Sequence, residues 1–316
     1  LPASEQVTRR RILVRTGLAN ILQRAGRGAE AVPMREAILA EHRELLGDAE
    51  HPDLAADWYN LAIDYISVER LAEAEQPLRE AERLLVKAYG ESDPRVIPVW
   101  LQLGGYLIRR GKLDESAEYA RKAEGLLAGD RYAETHPLRG ALYQLRARRL
   151  LFLGDTGAIA FARNAVDIYR RGKHFALGGA LYGLGRTLLA YGRDREAAAT
   201  FAEAEPVLTK LHGADAGETR FAHVGQAIAR WRLSGDPERL KDAVETASAM
   251  LGGSPDDASL LAEAAAWIAA DLEARDATAA VEWRAHAERA LAAVYPAEHP
   301  WRTSLAGTRR YRSSVP

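Results

Sequence analysis

Apolar residues along this chain recur at intervals of three and four, and no stretch of useful length alternates apolar with polar. The first pattern marks one face of an α-helix and the second would mark a half-buried strand, so the chain reads as all-helical. The period is plainest in residues 54–66 (LAADWYNLAIDYI) and 71–89 (LAEAEQPLREAERLLVKAY), where Leu71, Ala74, Leu78, Ala81 and Leu85 share one stripe. Two such amphipathic segments separated by a few residues predict a helix–turn–helix unit that buries its stripes face to face.

Two independent markers show this unit repeating. Pro52, Pro94, Pro137 and Pro300 close similar strings: LLGDAEHPDLA (45–55), AYGESDPRVI (88–97), YAETHPLRGA (132–141) and VYPAEHPWR (294–302). The first two spacings are 42 and 43 residues, and the third, of 163, has room for about four more units. Gly26, Gly111, Gly154, Gly192 and Gly235 form the second marker, each between an apolar stretch and an Ala-rich one. Gly26 and Gly111 lie two units apart, and the later steps are 43, 38 and 43 residues. Glu69 stands where a glycine is missing, and Arg275–Asp276 fills the last slot.

Glycine in the turn supplies the left-handed residue that ends a helix. Asp93 or His136 before proline suits a helix start, where the missing donor is harmless. Pro33 and Pro77, in the matching strings AVPMREA and EQPLREA, are expected in the first turns of their helices; Pro206 lies deeper and is expected to kink or end its helix. The repeats are expected at approximately 10–52, 53–94, 95–137, 138–174, 175–217, 218–257 and 258–300 of a single domain, finished by a capping helix at 301–311.

The period alone admits several repeat classes, and the residue pattern chooses among them. Ala62, Tyr65, Ala74, Leu78 and Ala81, with Trp58 ahead of them, resemble the small–large–small–large–small signature of a tetratricopeptide unit. Gly185, Leu188, Ala197, Phe201 and Ala204 repeat it, as do Trp100, Gly104, Leu107, Ala120 and Ala123 with Ser116 at one small site. The long spacing and the LLG…HP linker are similar to the kinesin-light-chain type of this repeat. The resemblance covers nearly the whole chain, is strongest over residues 10–140 and weakens from 215. It implies a right-handed α-α superhelix, a solenoid of about seven helix pairs whose first helices line a concave face that holds a peptide.

The array is also similar to the C-terminal sensor region of bacterial transmembrane serine/threonine kinases. Leu1 in place of an initiating Met and the Ala- and Arg-rich composition suit that origin. This resemblance implies a kinase domain upstream and a periplasmic array, favoured over a cytoplasmic one; a free-standing adaptor or assembly scaffold is the alternative.

Composition contributes chiefly by exclusion. With 43 Lys plus Arg against 44 Asp plus Glu, the formal net charge is −1, so nothing pulls the chain globally toward nucleic acid or an anionic membrane. No apolar run reaches the roughly 18–20 residues of a membrane span; even 259–274 is broken by Glu263, Asp271 and Glu273. Cysteine is absent, which removes disulfides, thiolate nucleophiles and Cys-based metal sites.

Eight histidines offer no HExxH or other metal-ligand spacing. His51, His136 and His299 belong to the repeat linker, and His42, His174, His212, His223 and His286 are scattered. No GxSxG or GxxxxGK string occurs, and the Gly pairs at 104–105, 178–179 and 252–253 fall in or at the ends of helices. Gly104 and Gly178 are expected to let neighbouring helices close on each other. No catalytic residue, metal site or cofactor is therefore expected. Trp58, Trp100, Trp231 and Trp267 are expected in the core, Trp283 and Trp301 at the periphery, and the clusters Arg9–Arg11 and Arg309–Arg310 at solvated ends.

Projecting the pattern onto the concave face gives the expected partner-binding residues: Asn20, Gln23 and Arg24; Tyr59 and Asn60; Gln102 and Arg109; Gln144 and Arg148; Tyr182 and Arg186; and Arg232. Side-chain amides pair with both the donors and the acceptors of an extended backbone. Roughly one arginine per unit makes a positive lane, so the expected partner is an acidic or carboxylate-bearing protein or peptide, not nucleic acid. The chaperone-tail clamp of some tetratricopeptide domains is not expected. Asn20 and Asn60 stand where its asparagines would, but Thr16, Pro98 and Gln102 hold the places of its cations.

Overall fold

A computed structural model of the chain describes residues 3–24, 26–129, 132–251, 258–273, 276–294 and 297. Among them it has fourteen α-helices and no strand, so the chain is all-α as its periodicity predicts. The helices fall in two compact units, Leu1–Tyr106 and Leu107–Pro316. The first holds α1 (Ala3–Arg24), α2 (Gly28–Leu46), α3 (Leu54–Ser67), α4 (Leu71–Tyr89), a 3₁₀ turn at Pro94–Val96 and most of α5 (Ile97–Arg109). The second holds the end of α5, α6 (Leu113–Leu127), α7 (Pro137–Phe152), α8 (Ala158–Arg171), α9 (Leu177–Ala190), α10 (Asp194–His212), α11 (Gly217–Ser234), α12 (Pro237–Met250), α13 (Ala258–Leu272) and α14 (Ala277–Val294).

The turns inside the pairs explain the glycine marker. Gly26, Gly111, Gly154, Gly192 and Gly235 all take φ between 69° and 75°, the region closed to most L-residues. Glu69, at the turn where the glycine is missing, adopts the same conformation at φ 60°. The linkers between pairs use the marked Asp and His side chains as caps. Asp93 accepts from the Arg95 amide at 2.9 Å, and His136 Nδ1 accepts from the Leu138 amide at 3.3 Å. His174, one of the histidines outside the linker strings, does the same work for the Ala176 amide at 3.2 Å.

The expectation for Pro33 and Pro77 is corrected: they are the sixth and seventh residues of α2 and α4, beyond the first turn. Of the two outcomes expected at Pro206, an end of the helix is excluded, because α10 runs through it to His212. Packing offsets the lost donor at two of these prolines: Pro77 is itself buried beside Leu78, and Pro206 is followed by buried Leu208.

In the first unit, α1 packs on α2, α2 on α3 and α3 on α4. Ala62, Ala74, Leu78 and Ala81 of the repeat signature are fully buried there. One buried ion pair links the pairs: Arg35 Nε donates to Asp64 Oδ2 at 2.9 Å while Arg35 Nη2 donates to Asn20 Oδ1 at 2.5 Å. In the second unit successive helices pack from α6 to α14, and the first helices of neighbouring pairs also touch, α7 on α9, α9 on α11 and α11 on α13.

Phe201 of α10 is fully buried in that second core. A Cβ placed on Gly185 of α9 would lie 2.8 Å from its ring, and one on Gly225 of α11 2.5 Å, so both positions require glycine for the ring to fit. Phe221 meets it edge-on at 6.4 Å. Trp100 and Trp231 are buried as expected, and Trp58 and Trp267 pack against the core half-buried. Trp283, expected at the periphery, is buried in the core through the inner face of α14. The predicted cap at 301–311, with Trp301, Arg309 and Arg310, lies outside the described residues, as do His299, Pro300, Gly252, Gly253 and Arg275.

Candidate peptide-binding cleft

The residues projected onto the first helices divide between the two units. In the first, Asn20 is exposed but held by Arg35, Gln23 is half-buried, and the Arg24 side chain lies outside the described residues. Tyr59 and Asn60 on α3 and Gln102 on α5 are half-buried. Burial raises the Tyr59 phenol above its ordinary pKa.

In the second unit the structure brings five of the projected residues to one place. Arg109, Gln144, Arg148, Tyr182 and Arg186 line a cleft of about 280 Å³. They reach it from the end of α5, from α7 and from α9, and Glu218 of α11 joins them. The spacing explains the convergence: Gln144 and Arg148 are four residues apart, as are Tyr182 and Arg186, so each pair occupies one helix face. Ala147, Leu151 and Phe152 supply an apolar wall. Gly179 and Gly183 leave bare backbone, since a Cβ on either would meet nothing within 4 Å.

The charges are not all available to a partner. Arg186 Nε donates to Glu263 of α13, 2.6 Å from one carboxylate oxygen and 2.8 Å from the other. Glu263 is buried, and burial pushes its pKa up against the opposing pull of Arg186. Arg232, projected as the next member of the lane, pairs with Asp271 of α13 at 2.9 Å and Asp194 at 3.5 Å and is absent from the cleft lining. Two arginines of the expected positive lane are thus neutralised from within.

Glu263 and Asp271 were legible only as breaks in an apolar run. They lie eight residues apart with Trp267 between, on one face of an otherwise Ala-rich helix. That spacing is the signal that would have marked them as partners for arginines on α9 and α11.

Tyr182 is the other feature that sequence reasoning missed in part, since it gave the residue but not its state. The side chain is 8% exposed, its ring meets Phe221 edge-on at 5.1 Å, and its hydroxyl has no hydrogen-bond partner among the described residues. Burial drives the phenol far above its ordinary pKa, with Arg186, Glu263, Glu218 and Arg148 adding smaller and mutually opposing effects. It is therefore a neutral, unengaged hydroxyl at a charged cleft. Among the described residues no three metal-ligating side chains gather, and no described helix is long and apolar enough to cross a membrane.

Helix pairs of this length, stacked first helix on first helix with left-handed turns between, define a fold of the tetratricopeptide type. Residues 10–87, about a quarter of the chain, match the tetratricopeptide repeat model directly. Among solved structures, a Rap protein complexed with competence and sporulation factor matches 92% of this chain and 74% of its own, with TM-score 0.67 at 14% identity. A signal transduction ATPase with numerous domains and a tetratricopeptide repeat sensor, from Pyrococcus horikoshii, matches 99% of this chain with 48% of its own, with TM-score 0.57 at 13% identity. A Podospora anserina kinesin light chain with nearly identical repeats matches 63% of this chain and 95% of its own at 22% identity, with TM-score 0.48. The first two likenesses show the fold. No curated protein matches the sequence.

Proposed function

We propose that the chain is a non-catalytic interaction module that holds an acidic peptide or protein segment against the first helices of its repeats. The observation that carries this reading is the cleft, where Arg109, Gln144, Arg148 and Tyr182 converge from three separate first helices. Concave sites lined by apolar surface and a few convergent polar groups are where ligands bind. Amides and guanidinium groups there suit an extended backbone with acidic side chains.

A sensor role, as the regulatory region of a bacterial serine/threonine kinase, is the finer form of this reading. It draws support from two proteins of the same fold, one solved with a competence and sporulation factor and one described as carrying a repeat sensor. A free-standing adaptor is the alternative, and a kinase domain encoded in the same polypeptide would decide between them.

The test is selection of a displayed library of random peptides on the protein, followed by affinity measurement with the Arg148→Glu variant. The expected outcome is a set rich in Asp and Glu whose binding falls at least about 30-fold in the variant, the ~2 kcal/mol lower bound for breaking a desolvated charge pair. Peptides selected without acidic bias would sink the charge reading, and a library yielding no binder would sink the module itself. Arg186→Glu is the poorer variant, because it would set two carboxylates against each other beside buried Glu263.

A further inference from the structure

We propose that the cleft between α7 and α9 is a subsite for a single carboxylate, held by the Tyr182 hydroxyl and the Arg148 guanidinium, and that it selects the acidic residue or terminus of a bound peptide. The proposal rests on the interaction-module reading above.

Its first support is the hydroxyl. A buried polar group without a partner is costly and rare in folded proteins, and Tyr182 is more than nine-tenths buried with none. A neutral phenol donates one hydrogen bond, and its strongest complement is an ionised oxygen. The phenol here stays neutral because burial opposes its ionisation.

The second support is the cation beside the hydroxyl. Arg148 lines the same cleft as Tyr182, and its charge acts on the Tyr182 phenol. A neutral donor and one guanidinium suit a singly charged carboxylate. Arginine has five donors in a fixed fork, so Arg148 serves a carboxylate alongside its existing neighbours.

The third is shape. At about 280 Å³ the cleft falls just short of the ~300–1,000 Å³ of sites for whole small molecules. It suits the side chain of one residue with part of its backbone. The open backbone at Gly179 and Gly183 gives that backbone room, and Leu151 and Ala147 take the methylenes.

The experiment follows the Tyr182 ring signal in ¹³C-tyrosine-labelled protein, assigned by its disappearance in Tyr182→Phe. Three probes are titrated to tens of millimolar: N-acetylglutamate α-amide (a side-chain carboxylate), N-acetylglutamine (a terminal carboxylate) and N-acetylglutamine α-amide (neither). Inorganic phosphate is the fourth. The expected result is a saturable shift with one or both carboxylate probes and none with the neutral one. The responding probe identifies the source. Arg148→Gln should weaken the response at least tenfold, and Gly183→Leu, which fills the cleft, should abolish it while the other tyrosine signals stay in place.

No shift with either carboxylate, an equal shift with the neutral probe, or tighter binding of phosphate overturns the subsite. Displayed peptides that bind the wild type and the Tyr182→Phe and Arg148→Gln variants alike also overturn it, while the module stands. Carboxylates that titrate Tyr182 in a protein selecting no displayed peptide support the subsite and reject the peptide module.

Discussion

At the scale of single residues, Glu69 shows how backbone geometry can be dictated by the repeat rather than by the residue present. Its φ of 60° matches the five glycines at equivalent turns, and the amide of Glu69 bonds Ile66 O at 3.2 Å as the tight turn demands. An L-residue in this region pays about 1–2 kcal/mol, while glycine loses about 0.5–1 kcal/mol through its freer unfolded chain. Glu69→Gly is therefore expected to leave stability level or raise it by up to about 1.5 kcal/mol, whereas Gly111→Ala lowers it by up to about the same amount. Denaturant midpoints of the two variants check the contrast. The position was legible because it broke a spacing rule, so the local conformation could be read even where the residue type argued against it. The state of Tyr182 could not be read that way, because hydrogen-bond satisfaction depends on helices more than thirty residues away. Tyr182→Phe removes a buried hydroxyl without a partner, and should raise thermal stability by about 1 kcal/mol while weakening carboxylate binding. Such an exchange of stability for function is what a binding group held unsatisfied predicts.

At the scale of elements, helix-to-helix polar contacts decide how tightly neighbouring pairs are registered. His223 of α11 sits between Glu205 of α10 and Asp242 of α12, with Nδ1 3.4 Å from the first and Nε2 3.1 Å from the second. Burial works against the charged ring, but the Asp242 hydrogen bond and the charges of both carboxylates outweigh it and hold the pKa above its ordinary value. A raised folded pKa means the folded state keeps the proton longer than the unfolded chain does. The stabilisation is then fully present below pH ~6.5, the ordinary imidazole value, and is lost as pH rises through the raised pKa. The melting temperature of the wild type should fall from pH 6 toward alkaline pH relative to Asp242→Asn, whose curve removes the main partner while sharing every other titration. Equal pH slopes for the two proteins would show that the ring does not couple the three helices. The helical character of these segments was legible, since the 3.6-residue period and the turn markers are local signals. The sequence did not disclose the ties between them, because Arg35–Asp64, Arg186–Glu263 and His223–Asp242 join residues 29, 77 and 19 positions apart.

At the scale of the whole molecule, a repeat array has no single centre, so its response to damage is graded. Each pair contacts chiefly its neighbours, and stability is a sum of unit and interface contributions. In the second unit α9, α10 and α11 meet at Phe201, a fully buried ring seated against Gly185 and Gly225. Half of that arrangement was legible: Gly185 and Phe201 both fit the small–large signature, and a small residue opposite a large one is the physical content of that signature. Gly225 was not, because from residue 215 the units drift from the pattern and only packing reveals which helix closes the other side. Truncating the ring in Phe201→Ala should cost about 3–5 kcal/mol, the range for an aromatic cavity in a core. In an array that cost is local. Native-state hydrogen exchange should show protection falling in α9, α10 and α11 while the amides of α1 to α4 keep their wild-type rates. A uniform loss across all fourteen helices would mean that the chain unfolds as one cooperative block, and the one-dimensional account of its stability would have to be given up.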